Sequence, residues 1–195
     1  MRTKEDEISL FQSIPWISNL LRDDSFETIA TPSRQPKPTT EDSFFSNTLN
    51  SPTTISACLT QYRKPQSPQS SSTANVEELR TFCTLGQDVN GYPGTLHGGV
   101  VAALLDETMG LLIMIRGEGG DASTRDSNLS QTPVTAYLNI RFLRPIATPG
   151  TIVVSAQLKE AIEDRKWTIE AAIRDEKGRT LATGECLFVR IRSRL

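Results

Sequence analysis

Among its 195 positions the chain has one histidine, three cysteines and few aromatic residues (6%). The cysteines Cys58, Cys83 and Cys186 are odd in number, scattered and without a C-x-x-C pair. Neither a disulfide framework nor a zinc ligand set is therefore expected, and free buried thiols in a reducing compartment are. The lone His97 has no nucleophile beside it, and no G-x-S-x-G elbow occurs, so a Ser-His-Asp hydrolase is excluded. Nucleotide signatures are missing too: there is no G-x-x-x-x-G-K-[ST] and no G-x-G-x-x-G. No cofactor or metal is expected. An excess of one charge is also lacking, with 21 Lys and Arg against 23 Asp and Glu. Without a basic face, neither nucleic acid nor acidic lipid is an expected partner. Uninterrupted apolar runs such as Val100 to Leu105 and Leu111 to Ile115 fall far short of the ~18 residues of a membrane span. The N-terminal stretch "MRTKEDEISLFQSIPWISNLLRDD" lacks the apolar centre of a signal peptide and is too acidic for a transit peptide. A soluble, cytoplasmic protein is expected, with a mitochondrial location left open.

What is present suits one full domain with an extension. Residues 1–53 form the extension: Ile8, Phe11, Ile14, Ile17, Leu20 and Leu21 recur at helical spacing broken by Pro15, and a Pro-, Ser- and Thr-rich stretch from Thr31 predicts an irregular surface segment. The domain itself is assigned to residues 54–195. "TISACLTQYR" (54–63) places Ile55, Ala57 and Leu59 on one face, and it pairs as a hairpin with "ELRTFCTL" (78–85) across a polar insertion at 64–75. Val100 to Ile115 is apolar nearly all round, which predicts an interior helix of about four turns, followed by a loop at 116–132. Four strands then follow, read as a meander: "VTAYLNIRFL", "TIVVSAQL", "KWTIEAAIR" and "TLATGECLFVRI". In the first, Val134, Ala136, Leu138, Ile140 and Phe142 share one face, and Thr135, Tyr137, Asn139 and Arg141 the other. The fold class is α+β, an antiparallel sheet of five to six strands wrapped around one long central helix.

Asp106 and Glu107 interrupt the oily helix. Burying an unpaired carboxylate costs several kcal/mol or raises its pKa, so the pair requires an explanation. Eight residues earlier, "HGG" opens the same helix with uncovered N–H groups that suit a partly negative oxygen. Eight residues at 1.5 Å each is ~12 Å along the axis, beyond a short Asp side chain's reach. A site using both features therefore takes two chains, and a two-fold dimer with antiparallel helices supplies it twice.

"GTLHGGVVAALLDE", then "TAYLNIRFLRPI", then the Gly178-Arg179-Thr180 turn resemble the hotdog-fold acyl-CoA thioesterases of the 4HBT superfamily. The likeness is nearest to the PaaI- and THEM-type branch and to fungal members with a long N-terminal region. It covers about 54 to 191, and "IPWISNLL" and "YRKP" are similar to the fungal members. The resemblance implies that Gly98 N–H polarises the thioester carbonyl with help from His97. It implies that Asp106 acts as general base or nucleophile and that Thr135 orients the water. Gly99, Asn90 and Glu107 are the implied substrate contacts. Relatives carry Asn where this chain has Gly91, and Asn90 stands one step off. The implied activity is hydrolysis of an acyl-CoA or acyl-carrier thioester, by a homodimer or a dimer of dimers. A non-catalytic hotdog that binds acyl thioesters, or an enzyme releasing polyketide or fatty acyl chains in fungal secondary metabolism, stands as the alternative. Arg141, Arg144, Arg190, Arg192 and Arg194 are candidate phosphate contacts.

Overall fold

The computed structural model describes residues 2–65, 73–117, 133–163 and 165–190. Most of the 116–132 loop, the middle of the 64–75 insertion, Arg192 and Arg194 lie outside the described residues.

Helix α1 (Lys4–Gln12) starts in a capping box, with Thr3 Oγ1 accepting from Asp6 N and the Asp6 carboxylate from Thr3 N. Pro15 opens helix α2 (Pro15–Leu21), where a missing N–H is harmless. The broken helix expected here is thus two helices. Strand β1 (Phe26–Ala30) lies antiparallel to β2 (Ile55–Arg63), and β2 to β3 (Glu78–Leu85). A small ribbon, β4 (Asn90–Tyr92) and β5 (Thr95–Leu96), leads into the central helix α3 (Gly98–Ile115). Strands β6 (Pro133–Phe142), β7 (Gly150–Ile162), β8 (Lys166–Arg174) and β9 (Thr180–Arg190) complete one antiparallel sheet in the order β1-β2-β3-β7-β8-β9-β6.

Helix α3 lies across this sheet. Its Leu105, Met109 and Leu112 are fully buried against a face that includes Val154, Trp167, Ile169 and Ile173, also fully buried. At about 1.5–3 kcal/mol for each large apolar side chain, this layer is the main stabilising contact. The opposite face of β2, β3 and β7 is covered by α1 and α2, with Phe11 and Ile17 packed on Ala57, Leu59, Phe82 and Val153.

Four details depart from the sequence expectation. The sheet has seven strands, because β1, drawn from the extension, adds to its edge. Only β7, β8 and β9 form a meander, and β6 pairs with β9 instead of β7. The 143–149 connection carries Pro145 and Pro149, which have no N–H for a ladder, while Leu143 N and Arg144 N both donate to Leu181 O. The chain therefore runs along the end of the sheet past β9 and β8 and re-enters at its middle strand, β7. In β2 a bulge between Ile55 and Ala57 shifts the phase, so Ile55 and Cys58 face α3 while Ala57 and Leu59 face α1 and α2.

Last, the stretch from Thr31 is a surface connection only in part, with residues 35, 36 and 38–41 exposed. Thr31, Ser33, Arg34, Phe45, Ser46 and Leu49 are all buried, because Phe45 and Leu49 join the main core and a buried guanidinium organises the backbone around them. Arg34 Nη1 donates to Phe45 O at 3.0 Å and Leu49 O at 2.8 Å, and Nη2 donates to Asn50 Oδ1 and Ile55 O. Arg34→Met keeps the aliphatic volume but orphans these acceptors. It is expected to cost about 3 kcal/mol, a drop in Tm of about 6–12 °C by calorimetry. An unchanged Tm would show that water replaces the guanidinium freely.

Candidate active site

The first half of the site is built at the start of α3. Asn90 and Leu96 pair across the β4–β5 ribbon, and His97 N donates to Val89 O at 2.9 Å, which fixes the turn into the helix. His97 is the N-cap, in extended conformation (φ −64°, ψ 135°), and its Nδ1 accepts from Gly99 N at 2.9 Å. An accepting Nδ1 carries no proton, which leaves Nε2 as the ring's donor. Val100 N and Val101 N both donate to His97 O. Of the first four N–H groups of α3, Gly98 N–H is the one with no acceptor among the described residues, and it lies at an exposed position. A Cβ at Gly91 would lie 3.1 Å from His97 Cα and 3.2 Å from its Cδ2, so the glycine lets the ring sit back against the ribbon. Asn90 does not line the cleft beside Gly98, and its Oδ1 accepts from Thr148 Oγ1. The cleft beside Gly98 has a volume of about 530 Å³, and Tyr92, His97, Phe142, Arg144 and Ile146 line it.

The second half sits on α3 near its middle. Thr135 Oγ1 donates to Asp106 Oδ1 at 2.9 Å. Strict alternation along β6 would have turned Thr135 away from the helix with Tyr137 and Asn139. A bulge between Thr135 and Tyr137 resets the phase and brings Thr135 to Asp106, so the shared-face grouping expected of this strand is corrected. Behind the pair, burial pushes the Cys186 thiol up to about 12 and the Asp106 charge adds to the shift, so this cysteine stays protonated and is no nucleophile.

Glu107 lines a second cleft of about 190 Å³ together with Asp106, Ser33, Asp42, Gly110 and Phe188. The residue keeps some surface, but its carboxyl is closely surrounded: burial pushes it up to about 7. Asp42 and Asp106 push the same way, while Ser33 and Lys37 pull it down. Relative to an ordinary value of 4.5, the folded chain thus holds an extra proton between the two values. The stability this proton confers is full below pH 4.5 and lost as pH rises through 7. Glu107→Gln, neutral throughout, is expected to remove that slope and to raise stability at pH 8 by up to about 3 kcal/mol, read from urea denaturation across pH. Parallel curves for the two proteins would contradict it.

The two clefts share no lining residue within one chain. Gly98 and Asp106 are eight helical residues apart, and Gly98 opens one cleft while Asp106 opens the other. Of the arginines, Arg144 borders the Gly98 cleft and holds Thr180 O, Arg141 lies on the sheet away from both clefts, and the Arg190 guanidinium rests 5.3 Å over Trp167. Ser33, Asp42 and Phe142 border the clefts with no motif to mark them. Among the described residues, no three His, Cys, Asp or Glu side chains converge as a metal site.

A family model described as "Thioesterase superfamily" matches residues 93–182, the span that includes His97, Gly98, Asp106 and Thr135. Verlamelin biosynthesis protein B of a Lecanicillium species is 32% identical over 173 residues, 77% of this chain and 75% of that protein. Bovine acyl-coenzyme A thioesterase THEM4 is 32% identical over 122 residues, 60% of this chain but only 44% of its own length. Among solved structures, a thioesterase superfamily protein at 26% identity superposes with a TM-score of 0.51 over 68% of this chain and 53% of its own. A Streptococcus mutans protein solved with acetyl CoA shares the fold, with a TM-score of 0.50 at 14% identity over 61% of this chain and 85% of its own. With a central helix laid across an antiparallel sheet and matches of this extent, the chain is a hotdog-fold protein and belongs to the thioesterase superfamily.

Proposed function

We propose that the protein hydrolyses acyl thioesters carried on coenzyme A or on a carrier protein, at sites shared between two copies of the chain. The observation that carries this reading is the pairing of Thr135 with Asp106 on a helix whose Gly98 N–H is left uncommitted. The substrate carbonyl oxygen accepts from Gly98 N–H of one copy, near His97 Nε2. Asp106 of the other copy receives the proton of a water held by Thr135, whose hydroxyl donates to the carboxylate and accepts from the water. The water oxygen bonds to the carbonyl carbon, the oxyanion rests on Gly98 N–H, and collapse breaks the C–S bond. The departing thiolate takes up a proton, and free acid and thiol leave. A thiolate needs little acid assistance, which suits a site with one histidine.

Two features support the two-chain arrangement. Among the described residues, strand β6 ends the sheet with its outer edge unpaired, and Tyr92, Phe142 and Leu143 beside Gly98 are exposed apolar side chains (79%, 61% and 49%). Antiparallel pairing of two β6 edges about a two-fold axis would turn the two α3 helices antiparallel and bring each Gly98 toward the other Asp106. A second reading, in which the acyl group is borne by a biosynthetic carrier, draws on the Lecanicillium relative, whose name places it in biosynthesis.

The test is release of thiol and acid from a panel of acyl-CoAs and from the same acyl groups on a carrier protein. Turnover on either carrier supports hydrolysis, and the better carrier separates the two readings. Binding without release would make the protein a non-catalytic acyl-thioester binder.

A further inference from the structure

The extension enters the site. Residues 31–42 are pinned to residues 45–50 by three Arg34 hydrogen bonds, and to the domain by the fourth, to Ile55 O, and by the Thr31–Thr60 hydroxyl pair at 2.9 Å. Lys37 Nζ further ties Glu41 and Asp42 together, at 2.7 Å to each. This segment closes the 190 Å³ cleft that opens beside Asp106. At about 30 Å³ per water-sized group, the cleft holds roughly six heavy atoms. Its walls are of two kinds. Gly110, Leu111, Met114 and Phe188 are apolar, as an alkyl chain requires. Ser33, Glu41, Asp42, Asp106 and Glu107 are polar: Lys37 holds Glu41 and Asp42, and Thr135 holds Asp106, whereas the Ser33 residue is 1% exposed and its Oγ meets no partner in hydrogen-bonding geometry. Hydrogen bonding from this hydroxyl pulls the Glu107 carboxyl down, although the pair falls short of regular hydrogen-bond geometry.

An alkyl chain filling this cleft would strip water from Glu107 and leave the buried Ser33 Oγ without a partner. A chain carrying a hydroxyl there would replace the water with a group that both donates and accepts. We infer that Ser33 and Glu107 form an acyl-end subsite selecting thioesters whose acyl chain bears a hydroxyl within about six atoms of the carbonyl. The inference rests on the hydrolase reading for the location of the acyl group and extends it to a substrate class. Specificity then resides in the N-terminal extension as much as in the helix.

The experiment uses the full chain with hexanoyl-CoA and a set of hexanoyl-CoAs carrying one hydroxyl at successive carbons. At least one hydroxylated substrate is expected to exceed hexanoyl-CoA about tenfold or more in kcat/KM. In Ser33→Ala and in Glu107→Leu that ratio collapses toward one, with melting curves confirming folded protein. Equal use of plain and hydroxylated chains by the wild type, or a ratio that survives both substitutions, overturns the subsite. If no thioester is hydrolysed, the hydrolase reading fails separately. The same substrate pairs are then compared by calorimetric binding, where a tenfold Kd preference lost in Ser33→Ala upholds the subsite and equal Kd values overturn it.

Discussion

Asp106→Asn is expected to lower kcat/KM for thioester hydrolysis by about 10²–10⁴-fold without altering the fold. The amide is isosteric, and its oxygen still accepts from Thr135 Oγ1, which now reaches Asp106 Oδ1 at 2.9 Å. What the variant lacks is the basicity to take a proton from water, or the charge to attack the carbonyl. Thr135→Val, which removes the orienting hydroxyl but leaves the carboxylate, should show a smaller loss than Asp106→Asn, and Thr135→Ser should recover most of it. Steady-state kinetics beside thermal melting separate a chemical loss from an unfolded protein. Undiminished turnover by Asp106→Asn would remove this residue from the chemistry and redirect attention to Glu107.

The second large effect is expected at Gly98, and there the backbone itself can be tested. Gly98 is the first residue of α3, where proline is well accepted, and His97 before it already has the extended conformation (φ −64°, ψ 135°) that a following proline requires. Gly98→Pro therefore deletes one N–H with little conformational cost. If that N–H holds the oxyanion, kcat/KM falls by about 10²–10³-fold. Gly98→Ala is the matched control: its Cβ would meet Phe142 Cε1 at 3.5 Å and Cζ at 3.7 Å, ordinary contact distances, and the N–H remains. The alanine variant is expected to stay within about an order of magnitude of wild type. Equal losses in the two would mean that bulk at this position matters and the N–H does not.

The helix, its place across the sheet and the separation of Gly98 from Asp106 were legible because each rests on periodicity or on chain geometry. An all-round apolar helix has to be interior, and a rise of 1.5 Å per residue is fixed. The Thr135–Asp106 bond was legible only through family resemblance. Strict alternation argued against it, since Thr135 falls in phase with the outward residues until the bulge shifts the strand. Bulges leave little trace in composition, and the same blindness misplaced Ala57 and Leu59.

Residues 31–49 were the larger miss. Their Pro, Ser and Thr content looks like a solvated connection, yet a buried Arg34 binds the backbone of Phe45, Leu49 and Ile55. Nothing local in the sequence announces an arginine whose partners are carbonyls up to 21 positions away. Glu107 followed from the same cause: its neighbours Ser33, Lys37 and Asp42 come from that segment, so its partners could not be named before the fold was known.

The central claim is that each site takes Gly98 from one copy and Asp106 from another, and mixing two inactive proteins tests it most directly. Gly98→Pro and Asp106→Asn are unfolded together in equal amounts, refolded, and assayed against each protein refolded alone. About half of the randomly formed dimers are mixed, and each mixed dimer combines an intact Gly98 with an intact Asp106 at one of its two sites. Activity should return to about a quarter of the wild-type level. A mixture no more active than its components would show that both groups act within one chain, and the shared-site account would fall.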